Sequence, residues 1–143
     1  SGTGRYANRA GEFHKEVVGG WEAGGRFLAL RMAVTYPLDD GRKDVHQALV
    51  IVGYDDGQDV YEARAFTDSG TTRTYSLTVA HDQILFEDRV PGHVAADRAR
   101  KVLRPRAAGF DEQLEVQTGI EAFRPYSMLE LRPVRVARQA DGR

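Results

Sequence analysis

The sequence predicts an all-β chain, an antiparallel meander, from three observations. Nine stretches flanked by turn residues alternate apolar and polar side chains, the period of a half-buried strand. Turn signals that pair an αL-tolerant residue with glycine punctuate the chain at short intervals. No stretch carries a convincing long helical pattern. A meander of this kind closes into a barrel or stacks as a sandwich, and a closed barrel can hold a small ligand.

Residues 2–8 also suit a further short strand, which would make ten instead of nine. Strands follow at 12–22 and 26–37, split by Gly24-Gly25. The second is the clearest run in the chain. Its even positions Leu28, Leu30, Met32, Val34 and Tyr36 share one face. Asp39-Asp40-Gly41 leads into 43–54, where His46 shares a face with Ala48, Val50 and Val52. Asp55-Asp56-Gly57 leads into 58–67, where Glu62 and Arg64 share a face with Val60 and Phe66. Asp68-Ser69-Gly70 precedes 71–81, and His81-Asp82 precedes 83–90. The last three strands are read at 98–107, 111–118 and 126–136. Connections this short make neighbours antiparallel, since a parallel crossover needs a dozen or more residues. Residues 91–101 also suit a short helix on alanine propensity, ended by Pro105. The polar tail 137–143 is expected to fray.

At 143 residues the chain is long enough for one domain with its own core, taken as 1–143. Twenty basic against 21 acidic residues leave a formal charge of −1, which gives no electrostatic case for nucleic acid or an anionic membrane as partner. No cysteine is present, which excludes disulfides and thiolate metal sites and suits a reducing cytoplasm. No apolar run approaches the roughly 20 residues that span a bilayer. No signal peptide is visible, and the start at Ser1 reads as processed. Arginine far exceeds lysine, a compositional bias expected of GC-rich bacterial coding.

Several motifs carry a resemblance. Trp21-Glu22-Ala23-Gly24-Gly25-Arg26-Phe27-Leu28 is followed by an apolar strand ending in Gly53-Tyr54-Asp55. An aromatic strand then ends in Phe66-Thr67-Asp68-Ser69-Gly70, and Met128-Leu129-Glu130-Leu131-Arg132 sits where a closing strand belongs. Ser1-Gly2-Thr3-Gly4 fits the second half of a Trp-x-Gly-x-Gly first strand. In this order and spacing the chain resembles a family of small bacterial proteins of unknown function with a lipocalin-like, calycin-type barrel. The resemblance spans most of the chain. It implies a closed antiparallel up-and-down barrel of about nine to ten strands around a cavity, as in fatty-acid-binding proteins. It implies no reaction.

Chemistry-bearing residues are sparse. The histidines His14, His46, His81 and His93 show no metal-ligand spacing within one strand, so neither metal nor haem is expected. There is no Gly-x-Ser-x-Gly and no His-Glu-x-x-His, and Ser76 and Ser127 have no evident partner base. No catalytic residue is assigned and no cofactor is expected. The carboxylates Glu62, Glu87, Asp88, Glu115 and Glu130 read as outward and solvated. Glu62 and Arg64 leave two readings: an outer face carrying Phe66, or an inward pair that holds a ligand carboxylate or carbonyl. Arg98, Arg100, Arg104 and Arg106 share one face, most simply a solvated one, and no stacking aromatics are interleaved with them.

The expected function is binding of a small hydrophobic metabolite of polyene, fatty-acid or polyketide type, in a natural-product pathway. The expected ligand-binding residues are Trp21, Met32, Tyr36, His46, Arg64, Phe66, Tyr75, Phe86 and Met128, because rings stack and thioethers adapt to an irregular apolar guest. Two alternatives stand beside it. One is a cofactor-free cyclase or isomerase that works by positioning. The other is a packed scaffold without ligand. Phe27, Ala29 and Ala33, opposite the apolar face of 26–37, point to a homodimer.

Overall fold

The computed structural model describes residues 1–7, 10–89, 98–119 and 121–134. Among these, ten strands form one closed antiparallel sheet. They are β1 (Gly2–Tyr6), β2 (Glu12–Glu22), β3 (Phe27–Pro37), β4 (Lys43–Asp55), β5 (Val60–Thr67), β6 (Thr72–Val79), β7 (Ile84–Asp88), β8 (Arg98–Arg106), β9 (Gly109–Gln117) and β10 (Arg124–Leu131). Each strand pairs with its sequence neighbours, and β1 pairs with β10 to shut the ring. The fold is therefore the all-β up-and-down barrel, and the sandwich alternative is excluded. At the seam, the Ser1 amino group donates to the Arg132 carbonyl at 2.8 Å, and the Arg132 amide donates to the Ser1 carbonyl at 2.9 Å.

Strand positions follow the alternation closely. The final strand differs: it begins at Arg124, carries a register shift between Pro125 and Ser127, and ends at Leu131 instead of running to 136. Residues 98–101, which also suited a helix, lie in β8. Residues 91–97 and the tail 137–143 lie outside the described residues. The turns use the expected glycines, with Gly41 and Gly70 both at φ +80°. Between β4 and β5 the positive φ falls on Asp59, and Asp55 Oδ1 instead accepts from the amides of Gly57 and Gln58.

The register fixes which side chains point inward. Leu30 faces Val50, Val50 faces Ala65, Ala63 faces Tyr75, and Leu77 faces Phe86 across successive ladders. Val50, Ala63 and Ala65 form a buried cluster, against which Leu30, Met32, Val52, Tyr75, Leu77 and Phe86 lie partly buried. Among the described residues no large side chain is completely buried. A small barrel filled by its own side chains would bury several. On the far side of the ring, Gly4 lies opposite both Phe13 and Leu129. A Cβ at Gly4 would collide with the Phe13 ring, so the glycine is what lets that ring turn inward.

The two ends of the barrel differ. At the end carrying the β2–β3, β4–β5 and β6–β7 turns, Trp21, Tyr54, Tyr61, Val79 and Phe110 occupy inward positions yet remain exposed. They make an apolar rim. At the other end the rings of Tyr6, Phe13, Tyr36 and His46 follow one another with centroids 5.4–5.8 Å apart, and Tyr126 stands edge-on to Tyr6.

Candidate functional site

Several inward positions of the alternation carry charge instead of hydrocarbon, and three of them lie on β2, β8 and β9. Lys15 stands between Phe13 and Val17 on β2, Lys101 between Ala99 and Leu103 on β8, and Glu112 between Phe110 and Leu114 on β9. A strand forces side chains at i and i+2 onto one face, so each of these groups is carried inside with its apolar neighbours. They converge. Lys15 Nζ lies 2.8 Å from Glu112 Oε1 and 2.6 Å from Oε2, and Lys101 Nζ lies 3.6 Å from Oε1. Lys15 is only 4% exposed. Glu112 is nearly as buried, while Lys101 keeps moderate access.

Burial governs the electrostatics. Desolvation, reinforced by the like charge of Lys101, lowers the Lys15 ammonium to about 8, and the attraction of Glu112 only partly opposes it. For Glu112 burial pushes upward, but Lys101 and Lys15 together outweigh it and hold the carboxyl below its usual range. Two ammonium groups share one carboxylate, so the cluster carries a surplus cation inside an apolar wall.

A second interior ion pair lies beside it. Arg73 on β6 donates to Asp88 on β7 at 2.8 Å, and the Asp88 side chain is 7% exposed although Arg73 reaches solvent. Tyr75 faces Asp88 across the same ladder. Its phenol is raised above the ordinary tyrosine value, chiefly by burial, with Lys101 lowering it and Asp88 raising it.

The expected site residues divide. Met32, Tyr75 and Phe86 lie together on the inner wall. Tyr36 also points inward, within the aromatic chain at the far end. His46 has inward parity but sits near the strand end, exposed, with Nε2 3.0 Å from Asp44 Oδ2. Trp21 has inward parity and stands on the rim, 71% exposed. Arg64, Phe66 and Met128 are on the outer surface, which corrects their assignment to the lining. On β5 the small Ala63 and Ala65 take the inward positions, which settles the two readings of Glu62 and Arg64 in favour of the outer face. There Arg64 Nε donates to Glu62 Oε1 at 2.8 Å. On β10, Ser127 and Leu129 face inward, so Met128 cannot.

The carboxylates also divide. Asp88 is inward rather than solvated. Glu115 is on the outer face but buried, bonded to Arg100 and to Gln113. The arginine face of β8 points outward as expected, and Arg104 and Arg106 are hydrogen-bonded to Gln113 and Asp111 of β9. Arg100 also lies over the Phe123 ring, 4.2 Å from its centroid. Among the described residues no three His, Asp or Glu side chains converge as metal ligands.

Comparison with models of known protein families and with curated proteins finds no match. The closed ten-strand antiparallel ring is compatible with a calycin-like fold. No helix among the described residues is long and apolar enough to cross a membrane.

Sequence reading missed Lys15, Lys101, Glu112, Arg73 and Asp88. The signal was present: each alternates with apolar residues at the parity that faces inward. Charge on that face marks either a misjudged parity or a deliberate interior group, and only the closed register separates the two.

Proposed function

We propose that the barrel binds a small hydrophobic metabolite in its lumen, with an oxygen-bearing head directed at Lys15, Glu112 and Lys101. The observation that carries this reading is the surplus cation. An unmatched charge in an apolar interior is costly, and a guest carboxylate or polarised oxygen against Lys101 would offset it. Leu30, Met32, Val50, Val52, Leu77 and Phe86 would contact the hydrocarbon body. The apolar rim of Trp21, Tyr54, Tyr61, Val79 and Phe110 suits passage of such a guest. A calycin-type bacterial family, cytoplasmic and acting in natural-product chemistry, is the setting we infer from the motifs that open at Trp21.

The test is native mass spectrometry and fluorescent-probe displacement with decanoate, palmitate and a conjugated polyene acid. The wild-type chain is expected to retain one equivalent, and Lys101→Met to bind the acids at least tenfold more weakly. No retained guest, or equal affinity in the variant, would overturn the reading.

A second reading, a positioning cyclase or isomerase, is favoured by Tyr75. Its phenol has no hydrogen-bond partner among the described residues and lies near Lys101. Such a pair could polarise a substrate carbonyl. Turnover of a polyketide substrate, lost in Tyr75→Phe with binding retained, would establish it; stoichiometric binding alone would remove it.

A further inference from the structure

The chain holds 20 basic residues, of which 17 are arginine and only three lysine: Lys15, Lys43 and Lys101. Two of those three are inside the barrel and share Glu112. The ion pairs on the outer surface use arginine, as at Arg64–Glu62, Arg100–Glu115 and Arg132–Glu130. A permanent cation facing a carboxylate is better served by a guanidinium, whose planar fork matches both oxygens and does not lose its proton near neutrality. Lysine differs in one chemical respect: it can become a neutral amine. The other inward cation, Arg73, is an arginine that reaches solvent, whereas both positions that share Glu112 are lysine, which singles out that property there.

We propose that Lys15 is a carbonyl-capturing amine, condensing reversibly with the aldehyde or ketone of an apolar guest in the lumen. This rests on the lumen-binding reading above and names the class of guest. The neutral Nζ adds to the carbonyl carbon, forming the N–C bond, and the carbonyl π pair moves to oxygen, which takes up a proton. The carbinolamine then loses that oxygen as water while the nitrogen lone pair closes the C=N bond. Both protons of Nζ end on that oxygen: Glu112, 2.6–2.8 Å from Nζ, is placed to take each in turn and deliver the first to the alkoxide and the second to the departing hydroxyl. Amine and carbonyl give imine and water, with no change of oxidation state. Lys101 supplies the nearby positive charge that polarises the carbonyl oxygen.

The surroundings bring the neutral amine within reach just above neutrality, while the ammonium prevails below about 8. The Lys15 ammonium, at about 8, releases its proton more readily than an exposed lysine, through desolvation first and the like charge of Lys101 second. The groups that face it are few. Across the ladders Gly2 of β1 and Val34 of β3 cannot titrate, and the charged neighbours are Lys101 of β8 and Glu112 of β9.

The experiment incubates the intact protein with decanal and sodium cyanoborohydride, then maps the reduced adducts by peptide mass spectrometry. Lys43 serves as the internal exposed control. One equivalent is expected on Lys15, at least tenfold above Lys43, with a rate that rises with pH to a plateau above about 8. Lys15→Arg is expected to abolish the adduct and Lys101→Met to slow it at least fivefold. Equal labelling of Lys15 and Lys43, labelling confined to Lys101, or no labelling would each overturn the proposal. The wild-type map alone decides this, whatever the folding of the variants. Decanoate retention, measured on the same sample, separates the two readings. Decanoate bound without an adduct removes the imine and leaves lumen binding standing, whereas loss of both removes both.

Discussion

Lys15 on β2 and Glu112 on β9 stand 97 residues apart in the chain and meet inside the barrel, with the ammonium 2.6 and 2.8 Å from the two carboxylate oxygens. Only ring closure through β1 and β10 brings these strands within reach. The contact is therefore a reporter of the closed fold as well as a chemical site.

Its energetics are best read by a double-mutant cycle. Lys15→Met leaves Glu112 buried with Lys101 alone, and should cost about 3–5 kcal/mol. Glu112→Leu leaves two buried ammonium groups facing each other and should cost a similar amount. The double variant Lys15→Met/Glu112→Leu should recover most of either loss, because two apolar groups need no partner. Urea denaturation followed by far-UV circular dichroism measures all four chains. Additive losses would mean that the pair does not interact in solution.

The pair also predicts stability on both sides of neutrality. Glu112 titrates below its unfolded value, so the folded state binds fewer protons, and its contribution is present above about pH 4.5 and lost as pH falls through the lower folded value. Lys15 is likewise lowered, from 10.5 to about 8. Between those values the unfolded chain binds more protons, so this group alone makes stability rise from pH 8 to 10.5. Thermal melts of the wild type and Lys15→Met should diverge across that window. Parallel curves would show that Lys15 titrates normally.

The outer placement of Arg64, Phe66 and Met128 predicts what their removal leaves alone. Alanine at each should change affinity for a lumen guest by less than twofold. Ala63→Phe should act in the opposite way. Ala63 has no exposed surface, and a ring inserted there should destabilise by about 1–3 kcal/mol and exclude the guest. Both outcomes are read by probe displacement and urea midpoints.

A second copy of the chain is the partner proposed for the outer face of β3 with Phe27, Ala29 and Ala33, beside which Ile51 and Phe66 extend the patch. Gly53 belongs to that patch, since a Cβ there would approach the Phe27 ring to 2.7 Å. Light scattering should give twice the chain mass at high micromolar concentration, and the chain mass for Phe27→Glu/Phe66→Glu. A monomeric wild type would refute the dimer.

The strands and their order were legible because a two-residue period is a local property. Leu28, Leu30, Met32, Val34 and Tyr36 announce β3 and its inner face without help from any other strand. Parity was harder on β5 and β10. There Phe66 and Met128 outweigh Ala63, Ala65 and Ser127 in hydrophobicity, yet the smaller residues take the crowded inner positions. The charged cluster was harder still. Lys15, Lys101 and Glu112 lie on three separate strands, and each alone reads as a solvated side chain. Their convergence is a property of the ring, invisible to any window along the chain.

The seam between β1 and β10 has a consequence of its own. A ten-strand ring has no edges, and Gly2–Tyr6 supply the short piece that removes the last two. Trimming those residues would bare the backbone amides and carbonyls of β2 and β10 at once. It would turn a self-contained tube into an open, adhesive ribbon prone to aggregate with its own kind.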